Sequence, residues 1–502
     1  MDRQLNRHSE LAKSLADSHV LVAGLGVSGQ AVVDVLTELP NGRHPASVSS
    51  LDAQAEGAHY SSSSQVPWDS IDLVIASPGW PPHHEALTAA ADHAVPVWSE
   101  IELAWQLRVN NEHTNKPAPW LAVTGTNGKT TTVELLATIL HADGLRVATV
   151  GNVGAPVIRQ IQNPTIDVFV LELSSFQLHF TYSMEPLASA ILNIAEDHVD
   201  WHGSFDQYAS DKARIFTHTH RACVYSEGDD RVVRLLHEAD VHPGARAISV
   251  SAESPTPSSL GIVDGVLCDR AFTEPLTGPQ RYRHAAELAQ LSDLAHLAGP
   301  DGVVGSHTIT NTLFAAALAR AYGVAPRAVR DGVKSFQPGR HRIEHVATVA
   351  KNDAPQSGVT FINDSKATNA HAARASLLSL PLSSTVWIVG GVTKGANLDS
   401  LIAEIGPQLR SAVVIGVEHQ EIVRAFARHA PHIPVHVASA DDTGGVMRHA
   451  VNTAWKAAEP GDVVILAPAC ASMDQFDSYA HRGDEFVRWV TELIPPGQQR
   501  KE

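Results

Sequence analysis

Four stretches of this chain place reactive residue types at spacings that can do chemistry. The first is Val123-Thr-Gly-Thr-Asn-Gly-Lys-Thr-Thr-Thr132, between a predicted strand and a predicted helix. Backbone N–H groups of Gly125, Thr126, Asn127 and Gly128, the helix N-terminus and Lys129 can hold a polyphosphate. The hydroxyl of Thr130 is placed to ligate Mg²⁺, with Thr131 next to it. The loop is shorter than the usual nucleotide loop: Val123 stands where its first glycine would be. The second stretch, LELSSFQL, puts Glu172 in an apolar strand, where a carboxylate needs a cation or a solvent-exposed strand end. The third, ILNIAEDHVDWHGSFDQYASDKARIF, offers His198, expected at the end of the preceding strand and either a ligand or a structural histidine, and Lys212. Ser204 with Gln207 reads as a capping box, so a helix begins at Phe205. Phe205, Tyr208, Ala209, Lys212, Ile215 and Phe216 then share one face. Lys212 either snorkels from the edge of that stripe or is a functional lysine altered by its surroundings. The fourth group lies after later strands: Asp364, Lys366 and Thr368 in NDSKATN, Lys394 in GGVTKG and Ser472 in APACASMDQF. Three such strand ends, two with a lysine, fit a pocket for an anionic small molecule.

The elements that must position these residues alternate as short apolar runs and amphipathic stretches, the pattern of parallel sheets covered by helices. HVLVAGLGVSGQAVVDVL reads strand, turn, helix, with Gly24, Gly26 and Gly29 in a GxGxxG turn and Asp52 ending a later strand. That turn fits a diphosphate ligand, either NAD or a UDP-sugar, or close strand–helix packing. Polar, Pro-containing breaks at Arg108–Pro119 and near Pro338-Gly339 divide the chain into three α/β parts, 1–113, 114–338 and 339–502. The stretch from Ser226 to Gly305 is less regular, with a small hairpin expected at LGIVDGVLC and no functional reading. SHTITNTLFAAALARAYG is a helix with Asn311 near its start.

Bulk properties exclude other classes. The 502 residues carry 37 Lys and Arg against 54 Asp and Glu, net −17, with no basic block. Nucleic acid is therefore not expected as a partner. Three distant cysteines, Cys223, Cys268 and Cys470, form no disulfide framework. The polar opening MDRQLNRHSELAKSLADSHV and the lack of a long apolar run lead us to expect a cytoplasmic enzyme without membrane insertion. A monomer is expected.

Taken together and in this order, TGTNGKTT, ELSSFQL, LNIAEDH, NDSKATN and ACASMDQF resemble the Mur ligases of bacterial cell-wall synthesis over nearly the whole chain. The DNPR motif of the diamino-acid-adding members and the HGK loop of the L-alanine-adding member are absent. The resemblance implies an N-terminal Rossmann-like domain that binds a UDP-sugar, a central P-loop-type ATPase domain with a mainly parallel sheet, and a C-terminal Rossmann-like domain. It implies that ATP, UDP-N-acetylmuramoyl-L-alanine and D-glutamate are substrates, joined through an acyl phosphate. By residue it implies that Gly125 to Thr131, Asn311, Arg342 and Asp364 bind ATP. Thr130 and Glu172 would bind one Mg²⁺, and His198 and a CO₂-carbamylated Lys212 the second. Lys366 would lie near the reacting carboxylate. Val27, Ser28, Gly79, Asn152, Ser174 and Gln177 would meet the UDP substrate, and Thr368, Lys394, Ser472 and Tyr479 D-glutamate. Ala53-Gln54, Thr308 and Val392 depart from the family pattern.

Folylpolyglutamate synthase shares the GTNGK loop but lacks the GxGxxG part ahead of it. An NAD dehydrogenase would leave the GKT loop, Glu172 and NDSKATN unexplained. A non-catalytic nucleotide-binding module would not need intact lysines at 129, 212, 366 and 394.

Overall fold

A computed structural model describes residues 15–39, 44–273, 283–298, 302–351, 358–393, 398–438 and 443–493. The chain forms two compact units. The first runs to Leu294 and resumes over Thr308–Phe336; the second comprises Ala295–His307 and everything from Gln337 on.

The first unit holds two sheets. Strands β1 (His19–Ala23), β2 (Ser47–Leu51), β3 (Leu73–Ala76) and β4 (Val97–Ser99) form a parallel sheet in the order β2-β1-β3-β4. Nine further strands follow. They are β5 (Trp120–Thr124), β6 (Val147–Gly151), β7 (Val168–Glu172), β8 (Ala188–Ile191), β9 (Ala222–Ser226), β10 (Arg246–Val250), β11 (Ser259–Val263), β12 (Val266–Asp269) and β13 (Ala286–Gln290). Their order is β13-β12-β11-β10-β9-β8-β5-β7-β6. Pairings from β6 to β11 are parallel, and β11-β12-β13 are antiparallel. The central strands β5 and β7 are buried throughout, as continuous apolar runs require when helices cover both faces.

The expected hairpin is present. Ile262 pairs with Leu267 and Val263 with Val266 around Asp264 (φ 49) and Gly265 (φ 78), the two left-handed residues of a tight hairpin turn. Strands β10 and β13 in this region had no strand signal in the sequence reading.

Contacts within the first unit lock its sheets together. Ser99 N donates to Phe180 O at 2.9 Å, and the buried Glu102 accepts from the amides of Tyr182 (2.8 Å) and Ser183 (2.9 Å). Buried Glu100 accepts from Ile158 N at 3.1 Å, and burial raises its pKa.

In the second unit, β14 (Glu344–Val349), β15 (Val359–Asn363), β16 (Thr385–Gly390), β17 (Leu409–Ile415), β18 (Val435–Val437) and β19 (Val463–Leu466) run in the order β14-β15-β19-β16-β17-β18. Only the β14-β15 pairing is antiparallel. Two apolar cores flank this sheet, one around Trp387 and Phe426, the other around Phe361 and Phe486.

Candidate active site

The loop after β5 folds around its glycines. Gly125 sits at φ 154 and Gly128 at φ 82, conformations that side chains resist. A Cβ on Gly128 would also come within 2.5 Å of Asn311 Oδ1, so the helix Ser306–Tyr322 packs its asparagine directly on the loop. Asn193, after β8, clamps the loop: Asn127 N donates to its Oδ1 at 3.0 Å and its Nδ2 donates to Asn127 O at 3.1 Å. Lys129 Nζ donates to Gly125 O (2.9 Å) and Thr126 O (3.0 Å), folding the lysine over the loop. The helix Lys129–Ala142 starts on Gly128, which has no side chain to cap it, and the N-terminus of a helix attracts phosphate.

Strand order then collects the other candidates. β5 lies between β8 and β7, so residues following these three strands share one sheet edge. Glu172 ends β7 opposite Val123 and is 2% exposed, so the solvent-exposed alternative does not hold. Its Oε1 accepts from Asn152 Nδ2 at 3.0 Å, and Asn152 N donates to Glu172 O at 2.8 Å.

Lys212 is also 2% exposed and does not snorkel. Its Nζ donates to Gly125 O (3.0 Å) and Thr124 Oγ1 (3.4 Å) and lies 4.7 Å from the Tyr208 ring centre. Burial, and then the Lys129 charge, push its pKa well below that of an exposed lysine, while Asp197 and Glu172 oppose the shift. Two expectations need correction. The Ser204–Gln207 box closes in one direction only: Gln207 N reaches Ser204 Oγ at 3.1 Å, but the Gln207 side chain turns to Asp211. His198 does not end a strand. β8 stops at Ile191, and His198 caps the short helix Val199–His202 at φ 51, half-buried against Phe176. A non-glycine left-handed residue at such a place is strain of the kind that functional sites hold.

Several UDP-substrate candidates have local structural partners. Ser174 and Gln177 form a complete capping box at the helix Ser175–His179. Val27 begins the helix Val27–Glu38 and is 81% exposed, Ser28 bonds Glu100, and Gly79 is exposed. Asp52, the residue an NAD ribose would need, instead accepts from the amides of Leu25 (2.7 Å), Gln54 (2.8 Å) and Ala55 (3.1 Å). These bonds lower its pKa, that from Leu25 most, and tie the glycine turn to β2.

In the second unit the loops after β15, β19 and β16 meet at one edge, and Val392 pairs with Ala471. Asp364, Lys366 and Thr368 follow β15, and buried Ser472 follows β19. Lys394 lies outside the described residues. Lys366 Nζ sits 5.2 Å from the ring centre of Tyr479. Burial pushes the Asp364 carboxyl up to about 7, against hydrogen bonds from Ser376 and Ile343 N and the charge of Arg342. Arg342 is flanked by His341 (φ 67) and Ile343 (φ 46), a rare conformation for a β-branched residue.

The sequence reading missed Arg482. Fully buried, it donates to Ser365 O (2.9 Å), Ser365 Oγ (3.0 Å) and Cys470 O (3.1 Å), fixing the two loops that carry Lys366 and Ser472. Burial lowers its pKa to about 10. An arginine in a helix gives no sequence signal of what it faces.

A cradle for phosphate, an uncapped helix start, a buried carboxylate and a buried uncharged-leaning lysine on one sheet edge define a nucleotide-dependent group-transfer site. The donor chemistry at that edge, a hydroxyl of Thr130 and the carboxylate of Glu172, suits Mg²⁺, a cation that takes oxygen ligands.

Comparison with known proteins agrees. The Mur ligase middle domain matches residues 123–319, and the Mur ligase, glutamate ligase domain matches 341–470. The chain belongs to the Mur ligase family. It is 45% identical to the UDP-N-acetylmuramoylalanine–D-glutamate ligase of Streptomyces coelicolor, over 96% of this chain and 100% of that protein. Among solved structures, UDP-N-acetylmuramate-alanine ligase MurC from Thermotoga maritima shares the fold at a TM-score of 0.52. It is 17% identical and covers 95% of this chain and 99% of that one. MurF ligase from the same organism, in complex with ADP, gives a TM-score of 0.51 at 16% identity, with 96% of each chain covered. Among the described residues, no helix is long and apolar enough to cross a membrane.

Proposed function

We propose that this chain joins D-glutamate to UDP-N-acetylmuramoyl-L-alanine with ATP, acting as a monomer in the cytoplasmic stage of peptidoglycan synthesis. The family and the full-length relative support the reaction. The observation that carries the mechanism is Lys212, buried against the carbonyl of Gly125 in the phosphate loop.

A carboxylate does not yield to an amine at neutral pH, so the alanine carboxylate first takes the γ-phosphate of ATP. The amino group of D-glutamate then attacks the acyl phosphate, and phosphate leaves with the tetrahedral intermediate's collapse. Lys129 and the loop amides hold the phosphates in line. Two Mg²⁺ ions, when bound, offset the charge that gathers as the phosphoryl group moves. Thr130 and Glu172 would hold one; His198 and a carbamate on Lys212 would hold the other. Carbamate formation joins the Lys212 nitrogen to the carbon of CO₂ and releases a proton, which requires the neutral amine that burial favours. Asn311, Arg342 and Asp364 serve the nucleotide, and Lys366 the reacting carboxylate. Thr368, Lys394, Ser472 and Tyr479 receive D-glutamate. Val27, Ser28, Gly79, Asn152, Ser174 and Gln177 serve the UDP substrate. The working parts are 1–113 for the UDP-sugar, 114–338 for ATP and 339–502 for the amino acid.

The test supplies purified protein with ATP, Mg²⁺ and UDP-N-acetylmuramoyl-L-alanine, and one amino acid at a time. Phosphate release is expected with D-glutamate and not with L-glutamate, L-lysine or diaminopimelate. Release driven only by another amino acid overturns the assignment.

A further inference from the structure

Asp211 is fully buried and belongs to none of the roles above. Its Oδ2 accepts from two imidazoles, His179 Nδ1 and His202 Nδ1, both at 2.8 Å. Its Oδ1 accepts from Gln207 Nε2 at 3.0 Å, and Arg214 Nε stands 3.6 Å away. His202 is held from its other side as well, its Nε2 lying 2.9 Å from Ser175 Oγ. With Nδ1 donating, Nε2 accepts the serine hydroxyl, so one tautomer satisfies both contacts.

The partners' places in the chain matter more than their number. His179 ends the helix Ser175–His179, which starts three residues after Glu172. His202 ends the helix Val199–His202, which His198 caps. Asp211 precedes Lys212 in the helix Phe205–Ala213. One carboxylate therefore joins the three segments that bear three of the four side-chain ligands assigned above, Glu172, His198 and Lys212. Successive helical residues point about 100° apart, so Asp211 faces away from the Lys212 amine and acts through the backbone. The Phe176 ring packs between the same parts, 4.8 Å from His198 and 5.5 Å from His202.

We propose that Asp211 is a positioning residue for phosphoryl transfer, its carboxylate setting Glu172, His198 and Lys212 in register through His179 and His202. The proposal rests on the reading of those three residues as metal ligands. Groups that orient metal ligands in this way cost roughly 10- to 100-fold in affinity or activity when changed.

The experiment compares full-length Asp211→Asn with the natural protein. Steady-state rates are taken across Mg²⁺ and bicarbonate concentrations, with a thermal melt alongside. The amide keeps the volume but loses the charge, and its single oxygen can serve either the two imidazoles or Gln207 and Arg214, so its N–H groups oppose the donors on the other side. Expected are a roughly 10- to 100-fold fall in kcat, a comparable rise in half-saturating Mg²⁺ and a stronger bicarbonate requirement. The KM for D-glutamate should stay within about twofold, because Thr368, Ser472 and Tyr479, assigned to that substrate, belong to the second unit and touch none of these groups. A folded variant with unchanged kcat and Mg²⁺ dependence overturns the proposal. If Asp211→Asn does not fold, His179→Gln decides, since that ring is partly exposed and its loss removes one of the two donors. A raised Mg²⁺ requirement in His179→Gln supports the proposal, and an unchanged one overturns it. Lys212→Ala, run beside them, separates the two levels: full activity there would overturn the ligand reading itself, whatever Asp211 does.

Discussion

Lys212→Met tests whether the buried lysine exists for chemistry or for packing. Methionine fills nearly the same volume and brings no charge. The substitution removes the hydrogen bonds to Gly125 O and Thr124 Oγ1, about 1 kcal/mol each. Neither acceptor is stranded: Gly125 O still accepts from Lys129 Nζ, and Thr124 Oγ1 still donates to Leu173 O at 2.7 Å. Against that loss stands the cost of taking an ammonium out of water, several kcal/mol before relaxation. The low pKa of Lys212 shows that the site resists the charge. The two terms nearly cancel, so stability should stay within about 2 kcal/mol of the natural protein, a melting shift of a few degrees. Activity should fall by roughly 10²- to 10³-fold or more, the scale of losing a group that stabilises transition-state charge. ADP release at saturating substrates and a thermal melt on the same sample give both numbers. Activity within a few-fold of the natural protein refutes the argument. So does an activity loss matched by a melting drop above about 10 °C, which would make the lysine structural.

Gly128→Ala should raise the KM for ATP by about tenfold or more. The left-handed φ costs about 1–2 kcal/mol in a residue with Cβ, and Asn311 Oδ1 lies in the way. Adding Asn311→Ala should recover part of the stability loss, and strict additivity in melting experiments would refute the clash. Asp364 sets a pH dependence. Its carboxyl titrates near 7 when folded against 3.8 unfolded, so the folded state keeps a proton that the unfolded state has lost. Stability from this group is complete below about pH 4 and declines as pH rises to 7. Between pH 5 and 8 the decline is roughly 2–3 kcal/mol. Asp364→Asn should therefore gain stability relative to the natural chain as pH rises over that window, and melts of the full chain showing a constant gap would refute it.

The parts of this site that local geometry dictates were legible in the sequence. The glycines of the phosphate loop announce a turn that only a few backbone conformations can make. The phase of Phe205, Tyr208, Ala209 and Lys212 put the lysine on the packed face, although phase alone could not tell edge from centre. The hairpin at Asp264-Gly265 was legible for the same local reason. What depended on distant partners was not. Asp52 looks like a ribose ligand until the fold brings Leu25 N to it across 27 residues. The His179–Asp211 contact spans 32 residues and Arg482–Ser365 spans 117. No periodicity encodes such pairs, because each residue alone is compatible with a solvated helix face.

The shared oxygen of Asp211 has a consequence for how these sequences can diverge. Two imidazole N–H groups converge on one fully buried carboxylate. Losing the acid alone would leave two imidazole N–H groups facing each other, and losing one imidazole would remove one of the two donors to the shared oxygen of a buried anion. Positions 179, 202 and 211 are thus free to drift only in concert. A relative with an apolar residue in place of Asp211 should also lack histidine at the position of His179.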